Sequence, residues 1–330
     1  MSEYLAGHLA EIRRAQARIE GYVRRTPLLP SDLDASLFTK PECFQPTGSF
    51  KVRGAFNAVL ALREAPNPPP GVIAVSSGNH AQALALAART AGLPALILIP
   101  ADANPAKIAG TRSLGAEVIT AGVTFANREQ RLREVAAERG YQVVHPFDDW
   151  DVIHGAGTAA LEVLADLPEA AALVTPVGGG GLLSGTALAA KAERPDIRVF
   201  AVEPERAADA AATFSSRELN VLPESPTTIA DGVRSVSIGR RTFEVMVDHG
   251  LVDAVVTVSE EEIAAATVLA WQRLKLALEP TAALPLAGWH SGRLPTVNGP
   301  VVLMLTGGNA DLKLVARLLA DARGEGRDDA

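Results

Sequence analysis

Lys51 is the residue with the clearest chemical potential. It stands in Gln45-Pro-Thr-Gly-Ser-Phe-Lys51-Val-Arg-Gly-Ala55, where a glycine-containing loop runs into a segment of helical spacing. The amine therefore falls in the first turn of a helix, where the dipole opposes a cation. That placement lowers an amine pKa and suits Schiff-base chemistry with a carbonyl compound. Most lysines are solvated surface charges, and only its setting separates this one from them.

Further loops gather small polar residues and glycines beside apolar runs. Ser76-Ser77-Gly78-Asn79-His80 offers N–H groups at a helix start, either to hold a carboxylate or as an ordinary cap. Gly178-Gly-Gly-Gly181 opens another helix and reads as a phosphate cradle or as a tight turn. It is not the dinucleotide fingerprint: counted from Gly178 or Gly179, the sixth position is Leu183 or Ser184. Nor is it a P-loop, because Thr186 stands after Gly185 where a lysine is needed. The sequence contains no HExxH zinc spacing and no GxSxG elbow.

The elements that position these loops follow from pattern. Helical spacing covers Leu5–Arg24, Ser49–Arg63, Ala81–Thr90, Pro105–Leu114, Asn127–Arg139, Gly155–Ala165, Leu182–Glu193, Thr242–Asp248 and Glu260–Ala277, with a last helix after residue 305. Short apolar runs at Phe38–Phe44, Gly71–Ser76, Ala95–Ile99, Glu117–Thr120, Tyr141–His145, Leu173–Val177, Val199–Glu203 and Val301–Leu305 read as strands. Buried runs alternating with helices predict an α/β fold on a parallel, doubly covered sheet. Glu205–Gly239 reads as irregular, and Gly324–Ala330 as a frayed charged tail.

Composition narrows the class. The chain has 330 residues, 48% hydrophobic and 21% charged, which excludes disorder. At about 150 residues per domain, the length suggests two compact units. The single cysteine, Cys43, leaves no internal disulfide and no cysteine-based zinc site. A net charge of -7 and 5% aromatics argue against nucleic acid or an anionic membrane as partner. Met1–Arg25 lacks the apolar core of a secretory signal. Ala170–Ala190 is uncharged and long enough for a membrane span, but Pro176 and four glycines break it. A cytoplasmic location is expected.

The Lys51 loop, the Ser76–His80 loop, the tetraglycine and Thr306-Gly-Gly-Asn309 occur in that order. Together they resemble the pyridoxal-phosphate enzymes of the tryptophan-synthase-β fold (fold type II), in the branch of serine/threonine dehydratases and serine racemases. The resemblance runs from about Arg25 to Asp311. Val52-Arg53-Gly54-Ala55 is similar to dehydratases, whereas cysteine and threonine synthases carry Asp-Arg after the lysine. The resemblance implies a two-domain, open twisted parallel-sheet architecture. Residues 1–71 and 148–330 would form a large cofactor-binding domain and residues 72–147 a small substrate-loop domain.

It also implies roles. Lys51 holds pyridoxal phosphate and then acts as base at the substrate Cα. Phe50 packs on the pyridine ring, Asn79 bonds the ring hydroxyl, and Gly178, Gly179, Gly180 and Gly181 bind the phosphate. Thr306 places a hydroxyl near the ring nitrogen, where the family usually has serine or cysteine. A neutral hydroxyl there weakens the electron sink and suits β-elimination. Ser76, Ser77, Asn79 and His80 form the substrate carboxylate loop. Ser77 corresponds to the racemase acid/base on the face opposite the lysine. Arg128 resembles a substrate-facing arginine, or is a surface charge. Glu203-Pro-Glu-Arg-Ala207-Ala-Asp209 resembles the family's divalent-cation site, with Glu203, the Ala207 carbonyl and Asp209 as hard ligands for Mg²⁺, Ca²⁺ or Mn²⁺.

The implied activity is deamination of L-threonine and L-serine to 2-oxobutanoate and pyruvate, by a homodimer or homotetramer. The alternatives on the same scaffold are a serine racemase and a threo-3-hydroxyaspartate dehydratase. The chain departs from the family at His154-Gly155-Ala156-Gly157-Thr158, where Ala-Gly-Gln-Gly-Thr is typical. The extra histidine and the lost glutamine are expected to reshape the domain hinge or the pocket.

Overall fold

The computed structural model describes residues 2–101, 105–124 and 126–323. The chain starts with α1 (Ser2–Arg18), then β1 (Leu29–Ser31) and β2 (Asp34–Pro41), and α2 (Lys51–Glu64) leads away from them. A parallel alternation follows: β3 (Val72–Val75), α3 (Asn79–Ala91), β4 (Ala95–Leu98), α4 (Pro105–Ser113), β5 (Glu117–Ile119), α5 (Arg128–Arg139) and β6 (Gln142–Val143). These four strands form one sheet in the order β5-β4-β3-β6.

The chain then returns through α6 (Trp150–Asp166), β7 (Ala172–Pro176), α7 (Gly181–Glu193), β8 (Arg198–Pro204), α8 (Asp209–Ser216) and α9 (Arg240–Phe243). It ends with β9 (Ala254–Val258), α10 (Glu260–Leu269), α11 (Pro280–His290), β10 (Val301–Leu305) and α12 (Leu312–Arg323). Six strands make the larger sheet, ordered β1-β2-β10-β7-β8-β9. Leu173, Val174, Val199, Val202, Leu303 and Met304 are fully excluded from water, as expected of strands covered on both faces.

α6 lies between α2 and α7 and touches both through glycine. A Cβ on Gly155 would stand 2.5 Å from the Arg53 carbonyl oxygen, and one on Gly185 would stand 2.4 Å from that of Ile153. Gly54 and Gly157 complete these contacts: a Cβ on them would stand 2.6 Å from Val152 O and 2.8 Å from Gly185 O. Only residues without a side chain permit helices this close. Beside them Arg53 is wholly buried. Its Nε donates to Glu42 at 2.7 Å and its Nη1 to Glu162 at 2.7 Å. Lys40 Nζ donates to Glu162 and to the Thr26 carbonyl, both at 2.6 Å. Two cations thus offset two carboxylates in the core, joining β2, α2 and α6.

The α/β alternation expected from the sequence is observed, with differences. The larger sheet is mixed, because β1 turns back antiparallel on β2. α1 ends at Arg18 rather than Arg24, and the strand expected to reach Phe44 gives way to a 3₁₀ turn at Glu42–Phe44. α6 begins at Trp150 because Asp149 caps it, accepting from the N–H groups of Asp151 and Val152. The stretch read as irregular contains α8, and β9 and α11 were not expected. Pro285 inside α11 disguises that helix in sequence. The segment Ala170–Ala190 is β7, a loop and the start of α7. Among the described residues no helix is long and apolar enough to cross a membrane. The expected tail Gly324–Ala330 lies outside the described residues.

Candidate active site

The lysine loop is stitched to the loop after β10. Phe50 N–H donates to the Thr306 carbonyl at 3.0 Å, and Gly308 N–H to that of Gly48 at 2.9 Å. Ser49 and Gly307 form an antiparallel bridge. Gly48 has φ 72°, and a Cβ there would lie 2.7 Å from Asn309 Oδ1. This is a turn that only glycine fits. Lys51 follows as the first residue of α2. Its Nζ donates to the Pro146 carbonyl at 2.7 Å and lies 5.0 Å from the Phe50 ring centroid. Burial pushes its amine down to about 8, because the ammonium form loses its water.

The next residue after Pro146 reaches the glycine loop. The Phe147 ring lies against Gly179, where a Cβ would be 2.2 Å from it. Gly180 has φ 87° and leads into α7. On the other side Thr242 of α9 closes the loop, its Oγ1 donating to the Gly179 carbonyl at 2.9 Å. Gly239 N–H donates to the same carbonyl at 2.9 Å. Gly178 and Gly181 are less tightly crowded, with a Cβ 2.9 Å from Val233 and 3.0 Å from Phe147.

The Ser76–His80 loop joins β3 to α3. Ser76 Oγ accepts from Gly78 N–H at 3.3 Å, and Ser77 is half-buried. Asn79 Nδ2 donates to Glu279 Oε1 at 2.7 Å, and its Oδ1 accepts from Asn309 Nδ2 at 2.8 Å. The His80 ring is buried, with Nε2 at 3.1 Å from the Val144 carbonyl. Burial, with Lys51's charge adding to it, pushes His80 down to about 3, so the ring is neutral. Thr306 is buried beside Phe50. Arg128 opens α5, half-buried, 3.7 Å from Glu129. Burial lowers His145, and the charge of Glu129, the residue after Arg128, opposes that shift.

Sequence reasoning missed Glu279, Phe147 and Thr242. Glu279 is nearly excluded from water, and burial followed by Asp231's charge pushes its carboxyl up to about 7. The signal for it was available: an acid amid Leu276, Leu278 and Pro280.

A family model described as pyridoxal-phosphate dependent enzyme matches residues 19–307. The chain belongs to that family. It is 41% identical over 315 residues to an L-threo-3-hydroxyaspartate ammonia-lyase of Saccharomyces cerevisiae, covering 94% of this chain and 95% of that protein. It is 42% identical over 313 residues to the serine racemase of Bos taurus, covering 92% and 93%. A solved T.th. threonine deaminase superposes with TM-score 0.85 at 45% identity, covering 92% of this chain and 98% of that one. The fold is therefore the expected tryptophan-synthase-β-like α/β architecture.

The residues present fit the family's cofactor, pyridoxal phosphate. A desolvated amine suits its aldehyde, and four crowded glycines at the N-terminus of the 13-residue α7 suit its phosphate. Among the described residues, the buried hydroxyls of Thr47 and Ser49 have no hydrogen-bond partner within the protein.

The acidic segment presents a different picture. Glu203 accepts from Ala210 and Ala211 N–H groups at 3.2 and 2.6 Å. Asp209 is buried and no side chain pairs with it; only backbone N–H groups, that of Ile238 among them, oppose the effect of its burial. Burial raises Glu203 well above the usual carboxylate range, opposed by the Ala211 N–H, with Asp209 adding to the rise; burial likewise pushes Asp209 up to about 7. Ala207 is buried in the turn between them. Among the described residues no three His, Cys, Asp or Glu side chains converge as a metal cluster.

Proposed function

We propose that the protein is a pyridoxal-phosphate-dependent lyase that deaminates L-threonine and L-serine to 2-oxobutanoate and pyruvate, releasing ammonia. The observation that carries this reading is the Lys51 amine, desolvated and held between the Phe50 ring and the Pro146 carbonyl, one residue before the Phe147 that packs on the glycine loop. It is one base on one side. Among the described residues Ser77 has no acid or base hydrogen-bonded to it that would make a second proton relay. Ammonia-lyases and deaminases among the relatives support the class.

When bound, pyridoxal phosphate supplies the electron sink that acidifies the Cα proton. Lys51 would hold the cofactor and would take that proton. Gly178, Gly179, Gly180 and Gly181 would hold the phosphate through N–H groups, and Phe50 would pack on the pyridine ring. Asn79, fixed by Glu279 and Asn309, would bond the ring hydroxyl, and Thr306 would offer its hydroxyl to the ring nitrogen. Ser76, Ser77, Asn79 and His80 bind the substrate carboxylate. His80 does so through its backbone, because its ring is engaged with Val144. The two sheets support a division into residues 72–147 and residues 1–71 with 148–330, with the cleft between them.

Glu203, the Ala207 carbonyl and Asp209 form a divalent-cation site. Its support is the buried Asp209 carboxyl, which no side chain pairs with, beside a second buried carboxylate, a donor set hard cations prefer.

Two other readings have specific support. Serine racemases at comparable identity favour racemisation, with Ser77 as the second acid/base. Two hydroxyaspartate ammonia-lyases favour a diacid substrate, with Arg128 on its distal carboxylate. One assay separates the three. Keto acid and enantiomer composition are measured with L-threonine, L-serine and threo-3-hydroxyaspartate. Keto acid from threonine or serine is expected; D-serine without keto acid overturns the lyase reading.

A further inference from the structure

A cavity of about 670 Å³ shares no residue with the lysine, asparagine, glycine-loop or threonine motifs. Trp150 and Phe243 give it a partly buried aromatic floor. Its charges balance: Arg217, Arg240 and Arg241 against Glu218, Glu244 and Asp248. Several are already engaged. Arg241 donates to the Asp148 carbonyl at 2.9 Å and lies over the Trp150 ring at 5.6 Å. Arg217 donates to the Val247 carbonyl at 2.7 Å, and Glu244 faces His249 at 3.8 Å. Among the described residues, the side chains of Arg240, Glu218 and Asp248 have no hydrogen bond or ion pair, and all three stand exposed at the rim.

An aromatic floor with one uncommitted cation and two uncommitted anions selects against simple ions. A plain anion would meet Glu218 and Asp248, and a plain cation would meet Arg240. A molecule carrying both a carboxylate and an ammonium on a broad apolar body satisfies all of them. The volume lies within the range of ligand pockets and exceeds what a threonine-sized molecule fills.

The cavity wall also reaches the glycine loop. Thr242 lies between Arg241 and Phe243 and bonds the Gly179 carbonyl at 2.9 Å. A Cβ on Gly180 would be 2.2 Å from its Cγ2. Anything that shifts α9 is felt there.

We propose that this cavity is a second ligand site, for an amino-acid zwitterion with an aromatic side chain, and that its occupancy is transmitted to the glycine loop through Thr242. Calorimetric titration of the cofactor-loaded enzyme tests it, using L-phenylalanine, phenethylamine and 3-phenylpropanoate as probes. L-Phenylalanine is expected to bind saturably at one per chain, and the two truncated probes at least about tenfold more weakly. Arg240→Glu and Leu219→Trp, the latter filling the cavity, are expected to abolish that binding while turnover persists. Cofactor emission is expected to shift on binding in the parent enzyme alone. Absence of saturable binding to the folded parent overturns the proposal. So does binding that both variants retain, or that excess L-serine displaces, since the ligand then sits in the catalytic cleft. The titration reads binding, so its failure is distinct from an error about which substrate is turned over.

Discussion

The Asn79 side-chain amide donates to the buried carboxyl of Glu279 at 2.7 Å, although the two residues are 200 positions apart. The bond ties the start of α3 to the start of α11. Burial, then Asp231, pushes Glu279 up to about 7 from an ordinary 4.5. A carboxyl raised in this way favours the fold at low pH, and that contribution is lost as pH rises from 4.5 to about 7. Glu279→Gln is therefore expected to flatten the stability profile across that window in urea titrations. Glu279→Leu, which removes the acceptor that Glu279→Gln keeps, should also lower kcat/KM by about ten- to hundredfold, as leaving a buried donor unsatisfied does. A pH–rate profile that keeps its limb near neutrality in the variant would assign that limb elsewhere.

Lys51→Ala is expected to remove turnover and covalent cofactor capture together. Borohydride should fix pyridoxal phosphate to the parent chain and leave the variant's mass unchanged. Because burial holds the amine near about 8, cofactor capture by the apo-protein should accelerate with pH up to that value and then level. Full turnover by the alanine variant would remove Lys51 from the mechanism.

The Arg53 network makes a stability prediction. Arg53→Met leaves Glu42 and Glu162 buried with only Lys40 nearby. Breaking a buried pair from one side costs about 3–5 kcal/mol. Denaturant melts should show a loss of that order. Lys40→Met combined with Glu162→Gln should cost less than the sum of the single changes, since the groups share partners.

His154, the departure from the family pattern, does not line the Lys51 loop. Its Nε2 lies 2.9 Å from His8 Nδ1, and its ring stacks on Trp150, tying α1 to α6. Burial, reinforced by His8, pushes His154 down to about 4; burial also lowers His8. A depressed histidine favours the fold while neutral. Stability is then full above 6.5 and falls as pH drops toward about 4. The loss is bounded at about 3 kcal/mol. The melting temperature of His154→Phe should fall less than that of the parent as pH drops from 6.5 toward about 4. Parallel profiles for parent and variant would exclude the pair as the titrating element.

The proposed cation site predicts a thermal shift. Mg²⁺, Ca²⁺ or Mn²⁺ should stabilise the chelator-treated parent, by about 2.7 kcal/mol at a hundredfold excess over Kd. Asp209→Asn should abolish the shift. Equal shifts in parent and variant would place the ion elsewhere.

Much of the scaffold was legible because the informative loops sit at strand ends, where glycines and small polar residues stand out against apolar runs. Lys51, Asn79 and the tetraglycine announce themselves this way. Glu279 did not, because it belongs to no loop motif; its importance arises from a partner in another sheet's helix. The His8–His154 contact is likewise invisible locally, since the two are 146 positions apart. β9 lies at the edge of its sheet, and α11 hides behind Pro285, whose kind ordinarily argues against a helix interior. The rotation of the His80 ring toward Val144 is a tertiary choice that cap chemistry does not encode.

The glycine contacts of α6 have an evolutionary consequence. The spacing between the helix that bears Lys51 and the helix that bears the glycine loop is set by main chain against main chain. Substrate-lining side chains can therefore diverge without disturbing that spacing, which suits a scaffold shared by lyases and racemases. One added methyl group at Gly155 or Gly185 has no such freedom. Tolerance to substitution should be steeply uneven, generous around the pocket and nearly nil at these two positions.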